Sequence, residues 1–278
     1  MIVSKYHALG NDYLFLDAAK SQLPSMEYIR KICHRNFGIG SDGLLYGTRT
    51  GDRAFRLKIF NPDGGEAEIS GNGSRIFAQA VFEKGYITER IPFVVQTGKK
   101  SVTACVLCSG QIEVDMGKPS FVDKNIPYFT EGFSDILVNG RTFKYFPVSM
   151  GNPHCVIFED LSSDDVRYFG PKLEQNPFFT ERTNVQFAKI ADRDNIFIKI
   201  WERGAGYTLA SGSSACAVFT VAKKLDLCSN NVEIHMPGGT LSLRADDEGG
   251  IVQIGPVEKI ADCEVNLSAQ PCPQLENF

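Results

Sequence analysis

The chain of 278 residues is long enough for one large domain or two ordinary ones. It is 43% hydrophobic and 22% charged, as an average globular protein is, and its net charge of −4 does not favour a nucleic-acid partner. No apolar run reaches the roughly 18 residues of a membrane helix. Lys5 and His7 interrupt the apolar start that a secretory leader needs. We therefore expect a cytoplasmic protein that has neither a membrane nor a nucleic-acid partner.

Strands and helices are predicted in the first half of the chain from the period of its apolar residues. The strands are expected at 13–17, 55–60 and 102–107, and the helices near 26–35 and at 72–84. Ser25 is a candidate N-cap for the first helix, and Gly85 is a stop signal for the second. A glycine-rich loop precedes the second helix.

The second half repeats this order of elements. Strands are predicted at 154–158, 196–201 and 241–244, and a helix at 215–225. That helix is apolar nearly all round, so it belongs inside its domain. We therefore expect an α+β fold in which each half wraps a β-sheet around one buried helix.

A shift of 141 residues aligns the sequence with itself at five places without a gap. The matched pairs are 9–11 with 150–152, 14–16 with 155–157, 57–61 with 198–202, 70–71 with 211–212, and Gly98 with Gly239. This period is too long for a solenoid and predicts two similar domains, with the active site in the cleft between them. The expected ranges are 1–121 and 122–261, and the tail 262–278 is a candidate to return to the first half.

Both buried helices begin with serine and glycine, at Ser70-Gly71 and Ser211-Gly212. Glycine allows close backbone approach, and the first N–H groups of a helix have no partner within it. Together with the helix dipole, these groups form an anion site. For one loop alone an ordinary serine N-cap is a sufficient explanation. The matched pair favours two sites that hold one carboxylate.

Polar residues that a strand does not need collect around these two loops. They are Asn11, Asn61, Asn152, Asn184, Glu202 and Arg203. Asn152 precedes a proline and could serve a turn, and the Glu202–Arg203 pair could be an ordinary surface feature. As a set, they suit a zwitterionic ligand with carboxylates and an ammonium group. Among the histidines, only His154 is a functional candidate, because it follows the second Gly-Asn turn.

Other chemistries lack a sequence signal. There is no Walker loop, dinucleotide fingerprint or metal-spaced histidine pair. Cys105 and Cys108 have the spacing of half a zinc site, but no second pair follows, and residues three apart in a strand point to opposite faces. We therefore expect no cofactor and no metal, and eight cysteines present as free thiols.

Five segments resemble diaminopimelate epimerases, and together they span almost the whole chain. They are His7–Tyr13, Gly38–Gly43, Asn61–Arg75, Ser149–Cys155 and Trp201–Gly212. The resemblance implies a cofactor-independent enzyme that interconverts LL- and meso-diaminopimelate, a late step towards lysine and peptidoglycan. In that family one base removes the α-proton and a second base, on the opposite face, returns a proton.

The resemblance also implies a role for each matching residue. The two bases fall at Ser70 and Ser211, and His154 and Glu202 assist them. The backbone N–H groups that bind the α-carboxylate belong to Gly71, Asn72, Gly212 and Ser213. The distal end of the substrate is read by Asn11, Asn61, Asn152, Asn184 and Arg203, with Glu202 on its ammonium group.

One departure from the family concerns the chemistry itself, because both family bases are cysteines and here both are serines. A thiol has a pKa of about 8.5, and a helix N-terminus lowers it further. A hydroxyl whose pKa lies about four units higher costs on the order of 5 kcal/mol, more than a thousandfold in rate. Cys216 lies too far into its helix to substitute. We therefore expect turnover to be very slow or lost. Either the serines were introduced into an active enzyme, which their pairing favours, or the chain has diverged.

Three other interpretations remain open. The chain could be a non-catalytic amino-acid-binding protein, a racemase of broader specificity that also accepts glutamate, or an isomerase with Glu66 or Glu68 as a carboxylate base. Tyr207 and Ser214 replace the Glu and Gly that are common in the family, which bears on substrate specificity. Ala261 stands where a dimer-contact aromatic is often found, so the resemblance supports a homodimer less than it supports the fold.

Overall fold

The computed structural model describes residues 1–67, 69–98, 100–122 and 132–266. The chain divides into one unit formed by residues 1–114 with those from Pro256 onward, and a second formed by Asp115–Gly255. Both structural boundaries come a few residues before the expected ones at 121/122 and 261/262. Glu68, Cys272 and the tail beyond residue 266 lie outside the described residues.

The secondary-structure elements are named here in chain order. They are β1 (Ile2–Ala8), β2 (Asn11–Asp17), α1 (Met26–Cys33), β3 (Leu44–Gly51), β4 (Ala54–Phe60), β5 (Glu66–Ala67), α2 (Gly71–Glu83), β6 (Phe93–Thr97), β7 (Lys100–Val106), β8 (Ile112–Asp115), β9 (Ser134–Val138), β10 (Arg141–Ser149), β11 (Pro153–Ile157), α3 (Ser163–Glu174), β12 (Asn184–Ile190), β13 (Asn195–Glu202), β14 (Gly206–Thr208), α4 (Gly212–Lys224), β15 (Asn231–Met236), β16 (Gly239–Ala245), β17 (Ile251–Gly255) and β18 (Glu258–Glu264).

The first unit is a mixed sheet around helix α2. Strand β1 pairs antiparallel with both β2 and β18, and β2 continues parallel to β3. Strand β3 then pairs antiparallel with β4, β4 parallel with β6, and β6 antiparallel with β7. Helix α2 packs against β1, β2, β3 and β7.

The second unit repeats that order of pairings. Strand β10 pairs antiparallel with β9 and β11, β11 runs parallel to β12, and β12 pairs antiparallel with β13. Strand β13 is parallel to β15, and β15 pairs antiparallel with β16. Helix α2 shifted by 141 residues has the bounds of α4, 212–224. The predicted α+β fold of two similar halves is confirmed.

Helices α2 and α4 are buried, as their apolar surfaces predict. Ten of the 13 residues are buried in each helix. The sheet approaches α2 so closely that a Cβ atom on Gly47 would lie 2.2 Å from Cε2 of Phe77, which explains the glycine in β3. No described helix has the length and apolarity needed to cross a membrane.

Helix α1 confirms the helix predicted near 26–35, and the N–H of Tyr28 donates to the Ser25 hydroxyl at 3.2 Å. Its counterpart α3 has no equivalent among the predicted elements. Shifted by 141 residues, the end of α1 at Cys33 falls on the end of α3 at Glu174. Pro171 lies inside α3, and because proline normally argues against a helix interior, the sequence pattern does not predict this helix.

The seven cysteines among the described residues are free thiols, as the sequence predicts. Cys105 is buried and Cys108 is exposed, so the pair does not share a face. Burial raises the pKa of the Cys155 thiol well above its ordinary value. Cys216 is fully buried within α4, which agrees with the expectation that it cannot act as a base.

Candidate active site

Helix α2 begins at Ser70, one of the two predicted base positions. The hydroxyl of Ser70 accepts a hydrogen bond from the N–H of Gly73 at 3.0 Å, and the helical ladder starts with Ser74 N–H donating to the Ser70 carbonyl at 2.8 Å. A Cβ atom on Gly73 would lie 3.2 Å from the Ser70 hydroxyl, so glycine leaves space at the helix N-terminus. The N-termini of α2 and α4 are called the helix mouths below. The N–H groups of Gly71 and Asn72 precede the ladder, where an anion binds best.

Helix α4 begins in the same way at Ser211. Its backbone angles, φ −146° and ψ 121°, are nearly those of Ser70, φ −142° and ψ 120°. Ser211 is buried, and its hydroxyl donates to Oε2 of Glu202 at 2.9 Å. The N–H groups of Gly212 and Ser213 occupy the first helical positions. The two mouths are therefore equivalent in backbone, and a carboxylate faces the Ser211 hydroxyl.

Asn11 and Asn72 are brought together in the first unit. Asn72 Nδ2 donates to Asn11 Oδ1 at 2.9 Å, and Arg75 Nη2 donates to Asn72 Oδ1 at 2.7 Å. Asn11 Nδ2 in turn donates to Oδ2 of Asp42 at 2.7 Å. This chain of bonds fixes the amide of Asn11 through one N–H and its Oδ1. Asp42 was not predicted as a site residue, although it lies in the Gly38–Gly43 segment.

Asp42 belongs to a charged cluster that anchors Asn11. Arg35 Nη2 donates to Asp12 at 2.8 Å and to Asp42 at 2.7 Å, and Lys5 lies 2.9 Å from Asp12. Burial raises the pKa of Asp42, and the charge of Asp12 adds to that rise. Burial acts in the same direction on Asp12, but hydrogen bonds from Arg35 and Lys5 outweigh it and lower the pKa of that carboxyl.

Tyr13 contacts the Ser70 hydroxyl and was not predicted as a site residue. Its Oη donates to Ser70 Oγ at 3.4 Å. Gly43 makes room for the ring, since a Cβ atom there would lie 2.8 Å from Cε1 of Tyr13. Tyr13 is the last residue of the His7–Tyr13 segment, so its position was visible in the sequence, but the contact depends on the sheet that brings β2 to the mouth of α2.

Asn61 and the alternative carboxylate bases occupy the turn after β4. Asn61 accepts from Gly64 N–H at 2.9 Å through its carbonyl and donates from its N–H to the Gly65 carbonyl at 2.8 Å, and its side chain is exposed. Glu66 lies opposite Phe60 in the β4–β5 pair and is also exposed. Glu68, the other candidate base, lies outside the described residues. Asn61 is therefore a turn residue that is open to solvent.

His154 lies between Asn152 and Gln186 and bonds to both. Its Nδ1 lies 3.0 Å from Nε2 of Gln186, and its Nε2 lies 2.9 Å from Oδ1 of Asn152. The amide of Gln186 is a donor, so Nδ1 accepts and Nε2 carries the proton. Burial, followed by the nearby charge of Arg203, lowers the pKa of His154 to about 3. The imidazole is therefore neutral at physiological pH.

Gln186 links His154 to helix α4 and was not predicted as a site residue. Its Nε2 also donates to the hydroxyl of Ser214 at 3.0 Å, and the side chain is fully buried. Residue 186 lies in strand β12, whose first five residues are all buried, and its two chain neighbours are apolar. The link connects the Asn152–His154 turn to the first turn of α4.

Asn184 joins the start of β11 to the turn after β13. Its Nδ2 donates to the Pro153 carbonyl at 2.9 Å, and its Oδ1 accepts from the N–H of Arg203 at 3.0 Å. The guanidinium of Arg203 donates to the Glu181 carbonyl at 3.0 Å. Asn184 therefore holds the residue before His154 and the residue after Glu202.

Comparison with known proteins gives a family for this chain. The family model described as diaminopimelate epimerase matches residues 3–122 and 146–260. A protein named diaminopimelate epimerase 2 from Nostoc sp. is 45% identical over 270 residues, covering 94% of each chain. The diaminopimelate epimerase of Desulfitobacterium hafniense is 37% identical over 269 residues, covering 92% of this chain and 95% of its own.

Solved structures share the fold at low sequence identity. A hydroxyproline epimerase from Agrobacterium vitis has a TM-score of 0.70 at 14% identity, covering 95% of this chain and 90% of its own. A methylitaconate-delta-isomerase has a TM-score of 0.58 at 11% identity, covering 99% of both chains. The ranges matched by the family model include both helix mouths and every predicted site residue. The chain belongs to the diaminopimelate epimerase family.

Proposed function

We propose that this chain is a cofactor-independent epimerase for LL- and meso-diaminopimelate, with Ser70 and Ser211 at the two base positions and slow turnover. The observation that carries the proposal is the 2.9 Å hydrogen bond from the Ser211 hydroxyl to the Glu202 carboxylate, at the N-terminus of a buried helix. Ser70 caps the equivalent helix in the same backbone conformation. Family membership and the names of the relatives support the choice of substrate.

The two helix mouths supply the electrostatics of the proposed reaction. When an α-proton leaves an amino acid, negative charge moves onto the neighbouring carboxylate. Helix N-termini stabilise that charge with backbone N–H groups and the helix dipole. The N–H groups of Gly71, Asn72, Gly212 and Ser213 are in the positions to do so. Their contribution is larger in the transition state than in the bound substrate, which is the condition for catalysis.

In the proposed reaction, each helix mouth has the groups for one proton transfer. As the Ser211 oxygen takes the α-proton, the hydroxyl proton of Ser211 passes to the Glu202 carboxylate. At the other mouth the Ser70 hydroxyl gives its proton to the carbanion, and the Tyr13 phenol is placed to stabilise the resulting alkoxide. Reversal of both transfers gives the opposite direction. A hydroxyl pKa about four units above that of a thiol costs on the order of 5 kcal/mol, which makes this route slow.

The remaining predicted residues are proposed to read the distal end of the substrate. With its partners among the described residues, Asn11 uses one amide N–H and one lone pair, which leaves the other of each for the substrate, and Asn61 is open to solvent. Asn152 is held by His154, and Asn184 holds the backbone of Arg203. The proposed substrate places the protein at a late step towards lysine and peptidoglycan in the cytoplasm. A homodimer is part of the same proposal.

Exchange of the α-proton with solvent tests the proposal directly. The native chain and the double variant Ser70→Cys/Ser211→Cys are incubated with diaminopimelate in deuterated water, and deuterium at Cα is followed by NMR. We expect slow exchange with the native chain and a rate more than a thousandfold higher with the cysteine pair. Absence of both binding and exchange in the two proteins rejects the proposal.

A second candidate is a non-catalytic amino-acid-binding protein. The observation that favours it is that both hydroxyls accept bonds from helical N–H groups, Gly73 to Ser70 and Ser214 to Ser211, as any serine N-cap does. Calorimetry would then show diaminopimelate binding, while the cysteine variant stays inert in the exchange assay. The same assay with glutamate tests for a broader racemase, and Glu66→Gln or Glu68→Gln tests for a carboxylate base.

A further inference from the structure

Glu174 is a buried carboxylate at the end of α3, with 3% of its surface exposed. Its Oε2 accepts a hydrogen bond from Trp201 Nε1 at 2.6 Å, and its Oε1 accepts from the N–H of Gly204 at 3.0 Å and from the guanidinium of Arg182. A carboxylate removed from water is costly unless such donors surround it. Two of the three donors, Trp201 and Gly204, lie on either side of Glu202 and Arg203, which are proposed site residues.

That turn joins β13 to β14 and carries Glu202 and Arg203. Gly204 and Gly206 have φ of 77° and 81°, in the left-handed region that glycine tolerates best. The turn closes with Ala205 N–H donating to the Glu202 carbonyl at 3.2 Å. The Arg203 N–H is held by the Asn184 side chain and the Gly204 N–H by Glu174. Two consecutive backbone N–H groups are therefore fixed by side chains from other elements.

Helix α3 also holds the strands on both sides of the turn. A Cβ atom on Gly170 would lie 2.6 Å from Cγ of Trp201, so the helix and the indole are in direct contact. The hydroxyl of Ser163, the first residue of α3, lies 3.1 Å from the hydroxyl of Tyr207 on β14. Helix α3 therefore contacts the chain on both sides of the turn, at Trp201 in β13 and at Tyr207 in β14.

We propose that Glu174 is a positioning residue that sets the place of the Glu202 carboxylate and of Arg203 for ligand binding. This inference rests on the proposed function of Glu202 and Arg203. The carboxylate is required because only an acceptor-only group can receive all three donors at once. A glutamine amide turns a donor towards one of them, and loss of that bond releases the turn without removing any group that touches the ligand.

Trp201 gives this proposal a direct reporter, because it is the only tryptophan of the chain. The variant is Glu174→Gln in the full-length protein. A matched control is Glu159→Gln, which breaks a different glutamate–arginine pair of the same unit, with Arg141 at 2.6 Å. Three quantities are measured: tryptophan emission, amide hydrogen exchange at Gly204, and the Kd for diaminopimelate by calorimetry. Thermal unfolding establishes that each variant is folded at the assay temperature.

We expect Glu174→Gln to shift the tryptophan emission, speed exchange at the Gly204 amide at least tenfold and weaken diaminopimelate binding at least tenfold. The control should change each quantity by less than twofold. Faster exchange with an unchanged Kd, or unchanged exchange at Gly204, overturns the proposal. If the native chain binds no diaminopimelate, the proposed function has failed, and the Gly204 exchange still decides whether Glu174 holds the turn. If Glu174→Gln does not fold, Trp201→Phe, which removes one donor, should give a smaller loss of Gly204 protection, and no loss overturns the proposal.

Discussion

Tyr13 and Tyr6 are neighbours with opposite expected roles. They lie directly opposite each other in the β1–β2 pair. Tyr13 donates to the Ser70 hydroxyl at 3.4 Å, whereas Tyr6 donates to Oε2 of Glu83 at 2.8 Å. Burial, assisted by Glu83, raises the pKa of Tyr6 far above its ordinary value, so Tyr6 stays neutral. Replacing either by phenylalanine removes one oxygen atom and little else, so the two variants serve as controls for each other.

The distances set the expected magnitudes. The 3.4 Å bond of Tyr13 is long, so its loss should cost about 0.5–1 kcal/mol, at the low end for a neutral hydrogen bond. In the exchange assay a loss of the same size in the transition state is about a twofold to fivefold lower rate, and the free energy of unfolding should fall by no more than the same 0.5–1 kcal/mol. The bond of Tyr6 to a carboxylate is short, so Tyr6→Phe should lower the free energy of unfolding by about 1.5 kcal/mol. Its exchange rate should stay at the native value.

Urea unfolding and α-proton exchange, measured on the same preparations, check the two expectations. The exchange rate is determined for native protein, Tyr13→Phe and Tyr6→Phe at saturating diaminopimelate. Equal effects of both variants on exchange would show that the tyrosines matter only through the stability of the first unit. An unchanged exchange rate in Tyr13→Phe would show that the contact with Ser70 does not contribute to α-proton transfer. Either result refutes the reasoning.

Three further changes test other parts of the second unit. The pKa of His154 is lowered to about 3 in the folded chain, so on acidification the unfolded chain binds a proton at this histidine before the folded chain does. The free energy of unfolding should therefore fall by about 1.36 kcal/mol per pH unit as the pH drops from 6.5 towards 3. A His154→Gln variant should lack this contribution to the pH dependence in urea unfolding. Gly170→Ala should destabilise the protein by about 1–3 kcal/mol in urea unfolding, because the new methyl group meets Trp201; a neutral result would mean that α3 can shift freely. Gln186→Leu should cost about 1–3 kcal/mol and weaken diaminopimelate binding in calorimetry, because His154 and Ser214 lose a partner; unchanged binding would limit Gln186 to stability.

The helix mouths were predictable because their signals are local. A serine and a glycine before an apolar helix, repeated at one offset, are enough to place Ser70 and Ser211 at the starts of α2 and α4. The duplication then gives the order of strands in the second half from that of the first. The apolar stretches also indicate that both helices are buried, which ten buried residues in each helix confirm.

The supporting residues were not predictable because their contacts join distant parts of the chain. Tyr13 is 57 residues from Ser70, and Glu174 is 27 residues from Trp201 and 30 from Gly204. Each looks ordinary in its own segment, and only the packing of helices against the sheet places it beside its partner. Helix α3 was missed for a related reason, since Gly170 and Pro171 oppose a helix locally. The glycine is required there by the close approach of Trp201.

The pairing of β18 with β1 bears on how the protein is made. Val3 lies opposite Cys263, and the Ser4 hydroxyl donates to Asp262, 258 residues further along the chain. During translation, residues 1–114 emerge from the ribosome long before the residues of β18 are synthesised. Until then, the edge of β1 that pairs with β18 is open. Open edges invite pairing with other chains. The second unit, whose β9 directly precedes β10, can complete its own first pairing while synthesis continues. The half that is made first is therefore the last to be finished.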